Sequence, residues 1–148
     1  MRYFSILLAV LLLFNLDNWE NDFDRAKEKA AKEHKLILLN FSGSDWCVPC
    51  IRMRKEIFEN NSFTDLANKE LILVNADFPR LKKNKPSKEQ QEKNNALAEI
   101  YNSDGSFPCT LLLDEKGNTI KKWIGFPGQD PEGFIAELKN TIHAGNSK

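Results

Sequence analysis

Apolar positions in this chain fall in short runs whose period changes from one to the next, and the changes mark out alternating helices and strands. Leu36 to Leu39 with Phe41 form an apolar run that Ser42-Gly43-Ser44-Asp45 interrupts, which predicts a buried strand ending in a turn. Ile51, Ile57 and Phe58 then recur at helical spacing, so a helix follows that strand and opens at Cys47 and Cys50. Ahead of the strand, Asp22 to His34 is rich in good helix formers. Phe23, Ala26 and Ala30 mark one stripe of it, as a covering helix requires. Asn60-Asn61-Ser62 breaks the pattern before a short helical segment, Phe63 to Asn68, and Leu71 to Asp77 reads as a second buried strand. A crossover through helices makes the two strands parallel.

Further on, Ser87 and Gln90 resemble a capping box, and Ala96, Leu97, Ile100 and Tyr101 supply the apolar face of the helix that follows. Asn102 to Ser106 is loop. Pro108 stands directly before a strand, Thr110 to Leu113, where proline has no place in a central ladder and marks a special backbone position. A turn at Glu115-Lys116-Gly117-Asn118 joins this strand to Thr119 to Ile124 as a hairpin. Asp130-Pro131 starts a closing helix buried through Phe134, Ile135, Leu138 and Ile142, and the tail 145–148 is expected to be disordered. The pieces predict one α/β layered domain over 17–144, a mixed central sheet with helices on both faces. No repeat, second domain or phosphate-binding glycine loop is visible.

Residues 1–16 stand apart. Arg2 precedes an almost unbroken apolar run from Phe4 to Phe14, the charged and hydrophobic regions of a secretory signal. The run is short for a membrane span and no small-x-small cleavage site follows it, so it is expected to be a signal peptide or an uncleaved N-terminal anchor. Charge adds one further feature. The 148 residues carry 21 acidic and 21 basic side chains, a balance that gives no reason to expect a nucleic-acid binder. The charge-biased stretch is 78–93, which holds Arg80, Lys82, Lys83, Lys85, Lys88 and Lys93 against Glu89 and Glu92. It reads as a solvated loop and helix start, or as a site for an anionic surface or acidic partner.

Cys47-Val48-Pro49-Cys50 carries the chemistry. Two intervening residues place both sulfurs within one turn, where they can close a small disulfide ring or open to a dithiol with little backbone movement. The first-turn amides of a helix lack internal partners and, with the macrodipole, favour negative charge, so a thiolate at Cys47 benefits. Pro49 is tolerated because its missing N–H has no helical partner at that position. Half of a zinc site or an inert buried pair are the other readings, but a structural zinc site needs a second ligand pair, and only Cys109, His34 and His143 remain, scattered along the chain.

Trp46-Cys47-Val48-Pro49-Cys50 after an apolar strand, with Phe107-Pro108, Thr110-Leu111-Leu112-Leu113-Asp114 and Gly117 beyond, resembles the thioredoxin family over nearly everything from Trp19 to Ile142. The lead-in Ser42-Gly43-Ser44-Asp45 is closer to secreted or envelope-bound bacterial thioredoxin-like proteins than to the cytosolic type. The resemblance implies a thioredoxin fold and thiol-disulfide oxidoreductase activity without a cofactor or metal. Cys47 would be the exposed nucleophile and Cys50 the resolving thiol, supported by Trp46, Val48, Pro49, Phe107 and Pro108. Trp46 would shield the site or anchor its loop. Phe107-Pro108 would be a cis bond beside the cysteines, with the Phe107 backbone pairing to the substrate chain. Partners would be disulfide-containing proteins and a membrane electron donor. Localisation would be extracytoplasmic, in the periplasm or cell envelope, with membrane contact only through the N-terminal segment.

Because Val48-Pro49 supplies no charge to stabilise the thiolate, the expected direction is reduction of protein disulfides. An oxidant or isomerase, or a non-catalytic thioredoxin-fold binding module or chaperone, are the alternatives. Three features depart from the family pattern, one of them an extra residue between Phe41 and Trp46. Asn40 occupies the place where cytosolic thioredoxins carry a buried acid that assists proton transfer from the second cysteine, and an amide cannot take that proton. Cys109 stands where threonine is usual, either as a small packed side chain or as a third redox thiol.

Overall fold

The computed structural model describes residues 18–128 and 130–145. The expected leader, 1–16, lies outside them, as do residues 146–148 of the expected tail. Five strands form one sheet in the order β1-β3-β2-β4-β5. They are β1 (Trp19–Glu20), β2 (Leu36–Ser42), β3 (Leu71–Asp77), β4 (Cys109–Leu113) and β5 (Thr119–Ile124). β1 and β2 run parallel to β3, while β4 is antiparallel to both β2 and β5, so the sheet is mixed as expected. The helices are α1 (Phe23–Glu33), α2 (Val48–Met53), α3 (Asn61–Glu70), α4 (Lys88–Tyr101) and α5 (Pro131–Gly145).

Strand alternation divides the interior in two. Leu38, Leu73 and Leu112 point to the face covered by α2, α3 and α5, where they meet Met53, Phe63, Phe134 and Leu138. Ile37, Leu39, Phe41, Val74 and Leu111 point to the other face, covered by Ala26 and Ala30 of α1 and Leu97 of α4. Helices on both faces therefore stand as read from the sequence. The hairpin and the buried stripe of α5 do too, with Phe134, Ile135, Leu138 and Ile142 all buried.

The differences have local causes. The expected break falls at Asn60, whose extended backbone caps α3 by accepting from Ser62 N at 2.8 Å, so the helix begins at Asn61 rather than at Phe63. α2 gives way to a π-helical turn over Arg54–Phe58, and its inward side chains are Met53, Ile57 and Phe58, with Ile51 only half-buried. Ser87 caps α4 by accepting from Gln90 N at 3.2 Å, yet the Gln90 side chain does not return the bond. It donates instead to Asn21 O and to Asn94 Oδ1. α5 continues through Gly145, so the expected tail starts as helix.

The inward face of α4 also needs correction. Ala96 is exposed and Ile100 is 71% exposed, whereas Asn94 and Leu97 are buried and Tyr101 donates its hydroxyl to Gly117 O at 2.8 Å. Asn94 repays its burial by donating to Asp77 O at 3.0 Å, which ties α4 to the end of β3. An apolar search passes over such an asparagine and takes its isoleucine neighbour. Leu97→Ala should therefore cost about 2–4 kcal/mol of stability. Ile100→Ala should cost under about 0.5 kcal/mol. Urea unfolding midpoints at unchanged slope measure both, and equal losses would contradict this orientation of α4.

Candidate active site

The chain leaves β2 at Ser42 and turns at once, Trp46 N and Cys47 N both donating to Gly43 O at 3.2 and 2.8 Å. Cys47 is thereby set as the N-cap of α2, with extended backbone, and its Sγ accepts from Cys50 N at 3.3 Å. Val48 and Pro49 fill the first helical positions, where proline needs no amide partner. Cys47 and Cys50 are joined as a disulfide with their Cα atoms 5.2 Å apart. The expectation that Cys47 is exposed does not hold in this bridged form: Cys47 is 5% and Cys50 4% accessible, while Val48 is 66% exposed between them. The N-cap position folds the Cys47 side chain back over the first turn, which leaves the neutral Val48 as the outermost part of the motif.

Trp46 is held from several sides. Its Nε1 donates to Phe78 O at 2.8 Å, its ring meets Phe107 edge-on at 5.5 Å between centroids, and the Arg80 guanidinium lies 3.8 Å from the ring centroid. Gly43 completes the seat, because a Cβ there would come within 2.3 Å of the indole. Phe78 in turn meets Phe107 at 5.6 Å and Phe41 at 6.5 Å, so an aromatic series connects the end of β2 to the loop before β4. The Phe107-Pro108 bond is cis, as the family resemblance implied, and Phe107 brings that loop against Trp46. Buried Asn102 splints the loop, donating to Ser106 O at 2.9 Å and accepting from Ser106 N at 3.1 Å.

Asn40 lies beneath the motif, on the α2 face of β2. It donates to Asn75 Oδ1 at 3.1 Å and accepts from Thr110 Oγ1 at 3.0 Å, a neutral network across three adjacent strands. Asn40 and Cys50 both line a cleft of about 780 Å³, together with Ser42, Asn75, Asp77 and Asn94. The lining also includes Trp19, Phe58 and Leu73, so polar groups make up only part of the wall beside the inner sulfur. Cys109 points the other way. It is fully buried among the side chains between the sheet and α1, it is free, and burial pushes its thiol up. Cys109 and Thr110 thus occupy opposite faces of β4, and only the threonine shares the face of Cys50.

Asp45 escaped the sequence reading. Its carboxylate accepts from Arg80 N at 2.8 Å, Leu81 N at 2.9 Å and Asn84 Nδ2 at 3.0 Å, fastening the 80–84 loop to the residue before Trp46. The Arg80 amide, with help from Asn84 and Leu81, holds the Asp45 carboxyl below the usual aspartate range. Its signature in sequence is only an aspartate in a turn, and its partners lie 35 to 39 positions away. Among the described residues no cluster of three or more histidine, cysteine, aspartate or glutamate side chains could hold a metal ion.

Residues 18–114 match the family model described as thioredoxin-like. The chain is 33% identical over 124 residues to a disulfide bond reductase, DsbH, from Chlamydia pneumoniae, covering 84% of this chain and 72% of the relative. A solved structure of DsbH oxidoreductase superposes with a TM-score of 0.75 at 32% identity, covering 84% of this chain and 83% of that one. A disulphide isomerase from Xylella fastidiosa Temecula1 shares the fold, with a TM-score of 0.60 at 20% identity over 79% of this chain and 88% of its own.

Asp45→Ala removes the acceptor for two loop amides, and hydrogen exchange at Arg80 and Leu81 should accelerate by about tenfold or more. Acid should act in the same direction. The folded state holds this carboxyl below its ordinary value, so its stabilising contribution is present above about pH 4 and is lost as pH falls through the folded value. Unchanged exchange in the variant would remove Asp45 as the anchor.

Proposed function

Since the chain belongs to the thioredoxin-like family, we propose that it is a thiol-disulfide oxidoreductase that reduces protein disulfides through the Cys47–Cys50 couple. The observation that carries the proposal is the bridge itself, closed across the N-cap and first turn of α2 with an amide donor already aimed at the Cys47 sulfur. In the reduced protein that donor and the neighbouring amides stabilise a Cys47 thiolate. The thiolate attacks a substrate disulfide, the Cys47 sulfur bonds to one substrate sulfur, and the other leaves as thiolate. Cys50 then gives up its proton and attacks the Cys47 sulfur. This closes the observed bridge and releases the second substrate thiolate; the substrate gains two electrons from the protein, and its two thiolates take up the proton given up by Cys50 and one more from solvent. A dithiol donor must return the electrons, and for an exported protein that donor sits in the membrane.

Reduction rather than oxidation is supported by the motif's interior. Val48-Pro49 brings no cation to stabilise the thiolate of the reduced form. The disulfide bond reductase relative points the same way. Trp46, Pro49, Phe107 and Pro108 shape the surface around the couple, Val48 is its exposed apolar contact, and Phe107 offers its backbone to the substrate chain. Cys109 serves as core packing in this scheme, its thiol kept from ionising by burial. The N-terminal segment exports or anchors the domain, which places the reaction in the cell envelope.

The reduction potential tests the direction. A value of about −230 mV or lower is expected, and one of about −180 mV or higher would make the protein an oxidant or isomerase. Cys47→Ser should abolish turnover and Cys50→Ser should accumulate the mixed disulfide, whereas a binding module would keep its client interaction in both. Asn40 governs the second step, because its amide cannot accept the Cys50 proton and water from the cleft must do so. Asn40→Asp should speed resolution of the mixed disulfide by about tenfold or more and make it pH dependent. An unchanged rate and pH profile would show that this proton transfer is not limiting.

A further inference from the structure

Thiol exchange makes no use of the basic loop that follows β3. Arg80, Lys82, Lys83 and Lys85 stand there, and no acidic residue occurs from Phe78 through Lys88. Among the described residues none of these four cations enters an ion pair with a carboxylate. In a chain whose acidic and basic side chains balance at 21 each, the loop is a local excess of charge. A basic run is ordinarily a mobile, solvated one. This one is held: Asp45 takes the amides of Arg80 and Leu81 and the side chain of Asn84, and the backbone closes a 3₁₀ turn over Lys82–Asn84. Arg80 stacks on the indole of Trp46, the residue next to Cys47. Both Asp45 oxygens are spent on the loop's own donors, and Ser44 occupies the carboxylate of Asp77 through its amide and hydroxyl. Amid the lysines, Leu81 is 49% exposed.

We infer that the 80–85 loop is a docking surface for an acidic polypeptide segment that flanks the disulfide presented to Cys47. Carboxylates of the partner meet Lys82, Lys83 and Lys85, and an apolar side chain among them covers Leu81. The inference deepens the oxidoreductase reading and rests on it for the identity of the partner. Two features favour a polypeptide over an anionic lipid surface. The loop is fastened to the redox motif, so a chain lying along it reaches the cysteines, whereas a headgroup layer brings no disulfide there. The exposed leucine is a point contact suited to one side chain. Because Asp45 holds the loop backbone before binding, only the exposed lysine side chains lose conformational freedom when a partner docks.

The test uses the full chain and two labelled, cysteine-free peptides identical except that one carries Asp and Glu where the other carries Asn and Gln. The acidic peptide should bind about tenfold or more tightly at about 0.01 M ionic strength, where screening extends over about 30 Å, and lose that advantage near 1 M. The triple variant Lys82→Gln, Lys83→Gln, Lys85→Gln should show no preference between the two. Equal affinities in the parent protein would overturn the inference, as would a preference that survives in the triple variant. Binding to phosphatidylglycerol vesicles through the same lysines, without discrimination between peptides, would overturn it in favour of a membrane. Failure of the redox reading looks different: the acidic peptide binds with the expected preference, but its disulfide-containing version stays oxidised when mixed with the reduced protein.

Discussion

The register of β2 is the constraint on which everything else depends. This central strand is aligned with β3 along its whole length, from Leu36 opposite Leu71 to Ser42 opposite Asp77, and with β4 from Ile37 to Phe41. It is buried on both faces, and the two faces differ. A slip of one residue would drive Asn40 into the aliphatic layer under α1 and turn Phe41 toward the polar end beneath α2. Neither is tolerable, so the strand has one register. That register sets Asn40 between Asn75 and Thr110, and it releases the chain at Gly43 where the turn can cap α2 with Cys47. Because β3 is locked beside β2, the loop after β3 emerges next to the redox motif.

Much of this could be read from the order of residues because it depends on short-range rules. Continuous apolar runs located β2, β3 and β4, the Glu115-Lys116-Gly117-Asn118 turn located β5, and the spacing of Phe134, Ile135, Leu138 and Ile142 located the inner face of α5. The cysteine pair declared itself through its two-residue spacing and its position between strand and helix. Family resemblance added the cis Phe107-Pro108 bond, which composition and periodicity cannot report since most X–Pro bonds are trans. Two-residue β1 lay below any periodicity signal and exists because its Trp19 packs on Phe58, 5.0 Å between ring centroids, while its backbone pairs with β3.

What escaped the sequence reading is mostly polar and long-range. Asp45, Asn94 and Asn102 each look like an ordinary loop or helix-surface residue, yet each supplies hydrogen bonds that locate a segment near the site. Local propensity says nothing about such partners, because the donor they satisfy belongs to a different part of the chain. Ile100 differs in the opposite sense: an apolar residue at that spacing predicts burial, but α4 is rotated by the demands of Asn94 and Tyr101, and Ile100 faces solvent. Hydrophobicity is a reliable guide when the buried face is wholly apolar and an unreliable one where the sheet end it covers is polar.

That polar sheet end also explains why an amide can stand where a carboxylic acid would be mechanistically useful. Desolvation would raise the folded-state pKa of a buried aspartate at position 40 above its unfolded value. The sign of the linkage follows. Such a group would add most stability below its unfolded pKa and lose it as pH rises through the folded value, so at neutral pH the fold would bear the burden of a buried charge. Asn40 carries none. Its oxygen and amide are both matched, by Thr110 and Asn75, and the interior beneath the cysteines is neutral and fully hydrogen-bonded. What is given up is an internal proton acceptor, and the cleft that Asn40 and Cys50 both line is the path by which the proposed mechanism brings solvent to the inner sulfur. Stability and proton transfer are separated in the proposed mechanism: the strand register depends on groups that do not titrate near neutrality, and the proton acceptor it assigns is water.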